Sequence, residues 1–189
     1  ISESEMVIAM ANAGASAILH RYNTITEQIG LFGKAIIGLD DYRIANVGAA
    51  IGVTGDFLER AEALCDVGIR ILCVDVAHGD HQLMKLALES LRKKFDNRIH
   101  IMAGNVATLD GFNNLADWGA DSIRVGIGGG SICSTRIQTG HGVPTFQSIL
   151  DCSRSDRSVA LIADGGLKTS GDIVKALAAG ADAALLGSM

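Results

Sequence analysis

Apolar residues along the chain gather in short runs, separated by longer stretches in which they recur every three or four positions. The runs at 15–20, 47–52, 70–77, 99–105, 122–127, 159–164 and 183–187 have strand length, and near-continuous hydrophobicity is the mark of strands covered on both faces. The segments 56–67, 80–95, 108–118, 143–153 and 170–179 lie between most of them and predict helices; in the first, Phe57, Leu58, Ala61 and Leu64 form one stripe. A further helix is expected over Ser2–Ala13. Thr54 and Ser170 stand where an N-capping oxygen belongs. The stretch Ile29–Ile44 is the least regular.

One junction recurs: Ala13-Gly14-Ala15-Ser16, Val67-Gly68-Ile69-Arg70, Trp118-Gly119-Ala120-Asp121 and Ala179-Gly180-Ala181-Asp182. In each, the glycine ends a helix by taking the left-handed conformation, and a short link feeds the next strand. Strict alternation of strand and helix implies parallel strands joined by right-handed crossovers. An open doubly wound sheet and a closed barrel both satisfy it. The absence of G-x-G-x-x-G after the first strand favours the barrel. The expectation is an α/β fold, a (β/α)8 TIM barrel, with residues 1–189 forming a single catalytic domain and no inserted regulatory domain. The chain begins at Ile1 rather than a Met and stops just after a glycine-rich turn, so both ends read as cut, with the first strand expected outside it.

Composition narrows the picture further. A formal net charge of -5 argues against a nucleic-acid or membrane surface, and no apolar run is long enough to span a bilayer. The four cysteines, Cys65, Cys73, Cys133 and Cys152, form no C-x-x-C pair, so a zinc site is not expected and a cytoplasmic location is. Cys65 and Cys73 fall in a helix and a strand and read as core residues.

In a barrel, chemistry gathers at the C-terminal strand ends. These read His20-Arg21, Ala50-Ile51-Gly52, Asp75-Val76-Ala77-His78-Gly79, Gly104-Asn105, Gly126 to Ser131, Asp164-Gly165-Gly166 and Gly187-Ser188. The glycine loops after the last two strands suit a phosphate, whose oxygens accept from exposed backbone N–H groups; tight turns would need the same glycines. Asp164 beside them suits a ribose diol, since a carboxylate accepts from two hydroxyls. The densest glycine loop, Gly126-Ile127-Gly128-Gly129-Gly130-Ser131-Ile132-Cys133-Ser134-Thr135-Arg136, lets backbone groups approach a ligand or a monovalent cation. Cys133 lies in this loop, near Arg136, where a thiol pKa would be lowered towards that of a nucleophile. An incidental cysteine fits the loop equally well on these grounds alone.

The segment Gly126–Pro144, GIGGGSICSTRIQTGHGVP, resembles the active-site loop of the IMP dehydrogenase/GMP reductase family. So do VDVAHG at Val74–Gly79, MAGNVAT at Met102–Thr108, IADGG at Ile162–Gly166, SGDIVKALAAGA at Ser170–Ala181 and LLGSM at Leu185–Met189, with SESEMVIAMANAG and ILHRYNTITEQ upstream. The resemblance covers almost the whole chain and is weakest over Ile29–Val47. It implies a barrel that binds a purine nucleotide, IMP or GMP, and a nicotinamide cofactor, NAD or NADP, with Cys133 attacking C2 of the purine. By the same resemblance, Thr135 positions or activates the attacking water or leaving ammonia. Ser131, Gly165, Gly166, Gly187 and Ser188 hold the phosphate, and Asp164 holds the ribose. Asp75, Asn105 and Gly126 lie on the cofactor side. The carbonyls of Gly128, Gly130 and Cys133 ligate potassium (K+). A cytoplasmic homotetramer is expected. The family's mobile flap and catalytic base fall beyond LLGSM.

Two positions depart from the family pattern. Gly129 stands where Pro or Ser is usual, and His141 where the residue is usually apolar, which reads as a solvated loop histidine. Among His20, His78 and His81, none matches a family base. The dehydrogenase is the leading expectation, because SICSTRIQTGHGVP is nearer its bacterial form. The reductase is the alternative, because the short Thr26–Val47 connection leaves no room for the regulatory tandem domain. A nucleotide-binding but inactive barrel is the third reading.

Overall fold

A computed structural model describes residues 2–187. Its strands are β1 (Ala17–Leu19), β2 (Val47–Ile51), β3 (Ile71–Asp75), β4 (His100–Val106), β5 (Ser122–Val125), β6 (Ala160–Asp164) and β7 (Ala183–Leu185). Helix α1 (Ser4–Asn12) precedes β1, and α2 (Ile25–Ala35) and α3 (Asp41–Ile44) link it to β2. Then come α4 (Phe57–Asp66), α5 (Gln82–Phe95), α6 (Leu109–Asp117), α7 (Thr135–Thr139), α8 (Thr145–Cys152) and α9 (Ser170–Ala178). Every strand pairs in parallel with the next, in the order β1 to β7. The sheet curls into a half-barrel. Among the described residues β1 and β7 do not pair, so the opening falls where a further barrel strand is expected.

Period-two alternation sorts the strand residues onto two faces. Leu72, Val74, Ile101, Ala103, Ile123, Val125, Leu161 and Ala163 point out to the helices and are buried. They pack in one core with Leu88, Leu91, Phe112 and Leu115 of the helices; removal of the leucine, isoleucine, valine and phenylalanine side chains from water stabilises the fold by roughly 1.5–3 kcal/mol each. The inner face carries smaller and polar groups. Gly48 lies between Ile18 and Ile71, and Gly104 lies against Arg124.

The repeated junction has a physical basis. Gly14, Gly68, Gly119 and Gly180 have φ of +76°, +111°, +106° and +111°, which side-chain-bearing residues resist. Where the link carries Asp, its carboxylate caps the neighbouring strand: Asp121 accepts from the Ile101 N–H at 2.6 Å and Asp182 from the Leu161 N–H at 2.7 Å. The junction pattern therefore encodes the helix stop and, where Asp is present, supplies a cap for the start of the neighbouring strand.

Three local expectations are corrected. The residue before α4 is Asp56, not Thr54, and its carboxylate takes the Arg60 guanidinium at 2.8 Å. Helix α9 is capped by Thr169 rather than Ser170, in a reciprocal box with Asp172. The irregular stretch holds a regular helix, α2, entered through a Thr24–Glu27 capping box. Its hydrophobic pattern is interrupted because Gln28 is buried, donating to the His20 and Ala50 carbonyls at 2.9 Å each and accepting from Arg60 at 2.8 Å. Among the described residues, no helix is long and apolar enough to cross a membrane.

Candidate active site

The inner face ends in a charged cluster. Asp75 closes β3 and Asp164 closes β6, with Arg124 on β5 between them. Arg124 is 7% exposed. One terminal nitrogen donates to Asp75 and the other to Asp164, the latter at 3.3 Å. Arg21, just past β1, donates to the Asp75 carbonyl at 3.2 Å and lies 3.9 Å from its carboxylate. Asn105 donates to the Asp164 carboxylate at 2.8 Å and to the Gly126 carbonyl at 2.9 Å. Asn105 thus reaches the carboxylate expected to hold ribose, rather than Asp75. The family motifs carry no role for Arg124, nor for Arg21 beyond its place at a strand end. The signal for Arg124 was a charge at an inward position of a buried strand, Ser122-Ile123-Arg124-Val125.

The glycine loop and the turn after β6 touch backbone to backbone. A Cβ on Gly126 would strike the Asp164 carbonyl oxygen. Gly165 and Gly166, with φ of +89° and +83°, would place a Cβ 3.0 Å from the Gly130 nitrogen and the Gly129 oxygen respectively. Glycine at 126, 165 and 166 is therefore required by close approach, whatever the ligand. The same packing brings the chain at Ser131, next to Gly130, towards the phosphate loop expected from the sequence. Gly187 follows β7 with open space where a side chain would stand. Ser188 lies outside the described residues.

Gly129, the departure from the family pattern, faces Thr145 at the start of α8: a Cβ there would run into the Thr145 hydroxyl. That hydroxyl is buried and finds no partner among the described residues. Arg136 lays its stem over Gly128 and Gly142, closing the loop from outside. His141 is exposed, with its ring nitrogen at the Thr139 carbonyl, as expected of a solvated loop residue. His81 caps α5, accepting from the Leu83 N–H at 3.1 Å.

Cys133 sits at intermediate exposure between this loop and α7. Its thiol is held below the ordinary cysteine range, first by the Thr135 hydroxyl and then by the Thr135 N–H. Slight burial opposes them, while the Gly128 N–H and the Arg136 charge assist. The sequence pointed to Arg136 as the cause; hydrogen bonding from Thr135, two residues on, is larger. By contrast, burial pushes the Cys73 thiol up, and the Cys152 thiol up to about 12. Cys133 is the cysteine whose surroundings favour the thiolate.

A cleft of about 140 Å³ opens beside Asp75, lined by Arg21, Gly52, Val53, Thr54, Asp56, Arg60 and Val76. It lies at the ends of β1, β2 and β3, on the far side of Asp75 from Cys133's loop in the strand order.

A parallel β/α half-barrel that gathers carboxylates, glycine loops and a thiol of lowered pKa at its C-terminal strand ends has the layout of a ligand-binding barrel enzyme. Residues 1–189 match the IMP dehydrogenase / GMP reductase domain, and the chain belongs to that family of oxidoreductases. It is 52% identical over 143 residues to an inosine-5'-monophosphate dehydrogenase of Rhizobium tropici, covering 75% of this chain and 28% of that protein. It is 45% identical over 169 residues to a GMP reductase of Leishmania major, covering 88% and 34%. The crystal structure of inosine 5' monophosphate dehydrogenase from Legionella pneumophila superposes with a TM-score of 0.88 at 50% identity, over 98% of this chain and 54% of that one. The chain thus spans about a third of these curated relatives and about half of the solved one.

Proposed function

We propose that this chain forms the nucleotide-binding and nucleophilic part of a purine-nucleotide oxidoreductase, and that the reaction is the oxidation of IMP by NAD and water to XMP and NADH. The observation that carries the reading is Cys133: a loop thiol favoured as thiolate by Thr135, in a glycine-rich strand-end loop packed on Gly165 and Gly166. In this reading the sulfur bonds to C2 of the purine, and the C2 hydride leaves. Water then adds at C2 of the resulting covalent purine, releasing XMP and the thiol. Covalent attack divides a difficult displacement into two easier steps. The nicotinamide supplies a hydride acceptor when bound.

The chain's own residues would orient the reactants. Ser131, Gly165, Gly166, Gly187 and Ser188 would bind the phosphate through hydroxyl and N–H donors, and Asp164 would accept from the ribose hydroxyls. Asp75 borders the cleft side, where Asn105 and Gly126 complete the wall expected to meet the cofactor. Thr135, hydrogen-bonded to Cys133, would handle the water that follows. Backbone carbonyls are hard oxygen donors suited to K+. Those of Gly128, Gly130 and Cys133 lie in a loop rather than a strand, although Gly130 already accepts the Cys133 N–H at 3.1 Å with one lone pair. These groups fit a monovalent cation that would brace the thiol's loop. A cytoplasmic homotetramer with one catalytic barrel per subunit, uninterrupted across residues 1–189, completes the proposal.

A reductase that converts GMP and NADPH to IMP, ammonia and NADP is the second reading, favoured by the longer alignment to the Leishmania major protein. Incubating the full-length protein with IMP plus NAD, and separately with GMP plus NADPH, decides between them. Growth of reduced-cofactor absorbance in the first mixture supports the dehydrogenase, and its decay only in the second supports the reductase. No change in either leaves the inactive nucleotide-binding barrel.

A further inference from the structure

We infer that Arg124 is a positioning residue that couples the nucleotide and cofactor subsites by holding Asp164 and Asp75 on the two ends of one guanidinium. The inference rests on the proposed roles of Asp164 at the ribose and Asp75 on the nicotinamide side.

The register makes the bridge possible. Asp75 on β3 pairs with Gly104 on β4, and Gly104 pairs with Arg124 on β5. Gly104 has no side chain, so Arg124 crosses over β4 to reach Asp75; a Cβ on Gly104 would stand 2.7 Å from the Arg124 Cβ. From the same position it reaches Asp164 on β6 at 3.3 Å. Its side chain is 9% exposed, whereas those of Asp75 and Asp164 are 32% and 16% exposed. The carboxylates therefore face the ligand space, and the arginine stands behind them. Each carboxylate has a private anchor as well, Arg21 for Asp75 and Asn105 for Asp164. Arg124 is the anchor they share. A guanidinium is planar and rigid, so displacing one carboxylate re-aims the donor that holds the other. Lysine offers one nitrogen and cannot hold both ends in the same geometry.

The test is a double-mutant cycle on the full-length protein, read as IMP affinity by calorimetry with no dinucleotide present. Asp75→Asn should weaken IMP binding about threefold or more although Asp75 does not face the nucleotide, and on an Arg124→Lys background it should add almost nothing. Melting temperature is recorded for every variant, since a purely structural Arg124 would lower it without producing the cross-effect. An unchanged IMP affinity in Asp75→Asn, with wild type binding and turning over normally, overturns the coupling alone. A full Asp75→Asn effect on the Arg124→Lys background does the same. Should Arg124→Lys fail to fold, Asp75→Asn by itself decides the matter. A wild-type protein that binds no IMP overturns the functional reading and the coupling together.

Discussion

The Asn105 amide donates to the Asp164 carboxylate at 2.8 Å while also holding the Gly126 carbonyl at 2.9 Å. One side chain at the end of β4 therefore fixes the carboxylate of β6 and the first turn of the glycine loop that carries Cys133. Asn105→Ala removes both bonds. A hydrogen bond to a charged group contributes about 1.5 kcal/mol, or roughly tenfold. The nucleotide KM should rise by about that factor with the circular dichroism spectrum unchanged; an unaltered KM would show that Asp164 needs no such support.

Thr135→Val should make Cys133 less acidic. Both Thr135 donors favour the thiolate, so deleting the hydroxyl shifts the thiol towards its ordinary value near 8.5. The rate of alkylation by iodoacetamide should then climb at higher pH in the variant than in wild type, and Thr135→Ser should restore the lower position. Superimposed pH profiles would remove Thr135 from the account.

Gly129→Ser should crowd the site. Its Cβ meets the Thr145 hydroxyl, and overpacking of this kind costs about 1–3 kcal/mol. The expected result is a lower melting temperature and lower kcat, both recovered in the Gly129→Ser/Thr145→Ala double variant. A single variant as stable and active as wild type would mean that the loop moves freely past α8.

Thr169→Ala should destabilise the protein by about 1 kcal/mol through loss of the α9 cap, seen as a lower urea midpoint. The partner Asp172 is held below the ordinary carboxylate range by the Lys168 N–H, and then by the Thr169 hydroxyl. A depressed carboxylate contributes its stability above its unfolded value and loses it as pH falls through the folded one. The stability gap between wild type and Asp172→Asn should therefore be full at neutral pH and shrink in acid below about pH 4. A gap that does not vary with pH would assign the effect to something other than the charge.

Much of this was legible in the sequence because strands and helices of a parallel barrel announce themselves through local patterns. The glycine junctions at 14, 68, 119 and 180 marked helix ends correctly because each needs a positive φ, a property of the residue itself. Helix α2 was harder to read: Gln28 occupies a core position, satisfied by His20, Ala50 and Arg60 from other elements. The strand-end residues were visible as motifs, but their connections were not. That Asn105 meets Asp164, or that Arg124 spans Asp75 and Asp164 across Gly104, depends on sheet register. Register relates residues dozens of positions apart, and no local pattern encodes it.

The central claim is that Cys133 forms a bond to the purine. The direct measurement is intact mass of the full-length protein quenched in acid during turnover with IMP and NAD, followed by peptide mapping. The account predicts an added mass equal to one purine nucleotide on the peptide containing Cys133, absent in Cys133→Ala, which also loses turnover while binding IMP within about tenfold of wild type. A Cys133→Ala protein that still turns over, or an adduct mapped to Cys65, Cys73 or Cys152, would contradict it.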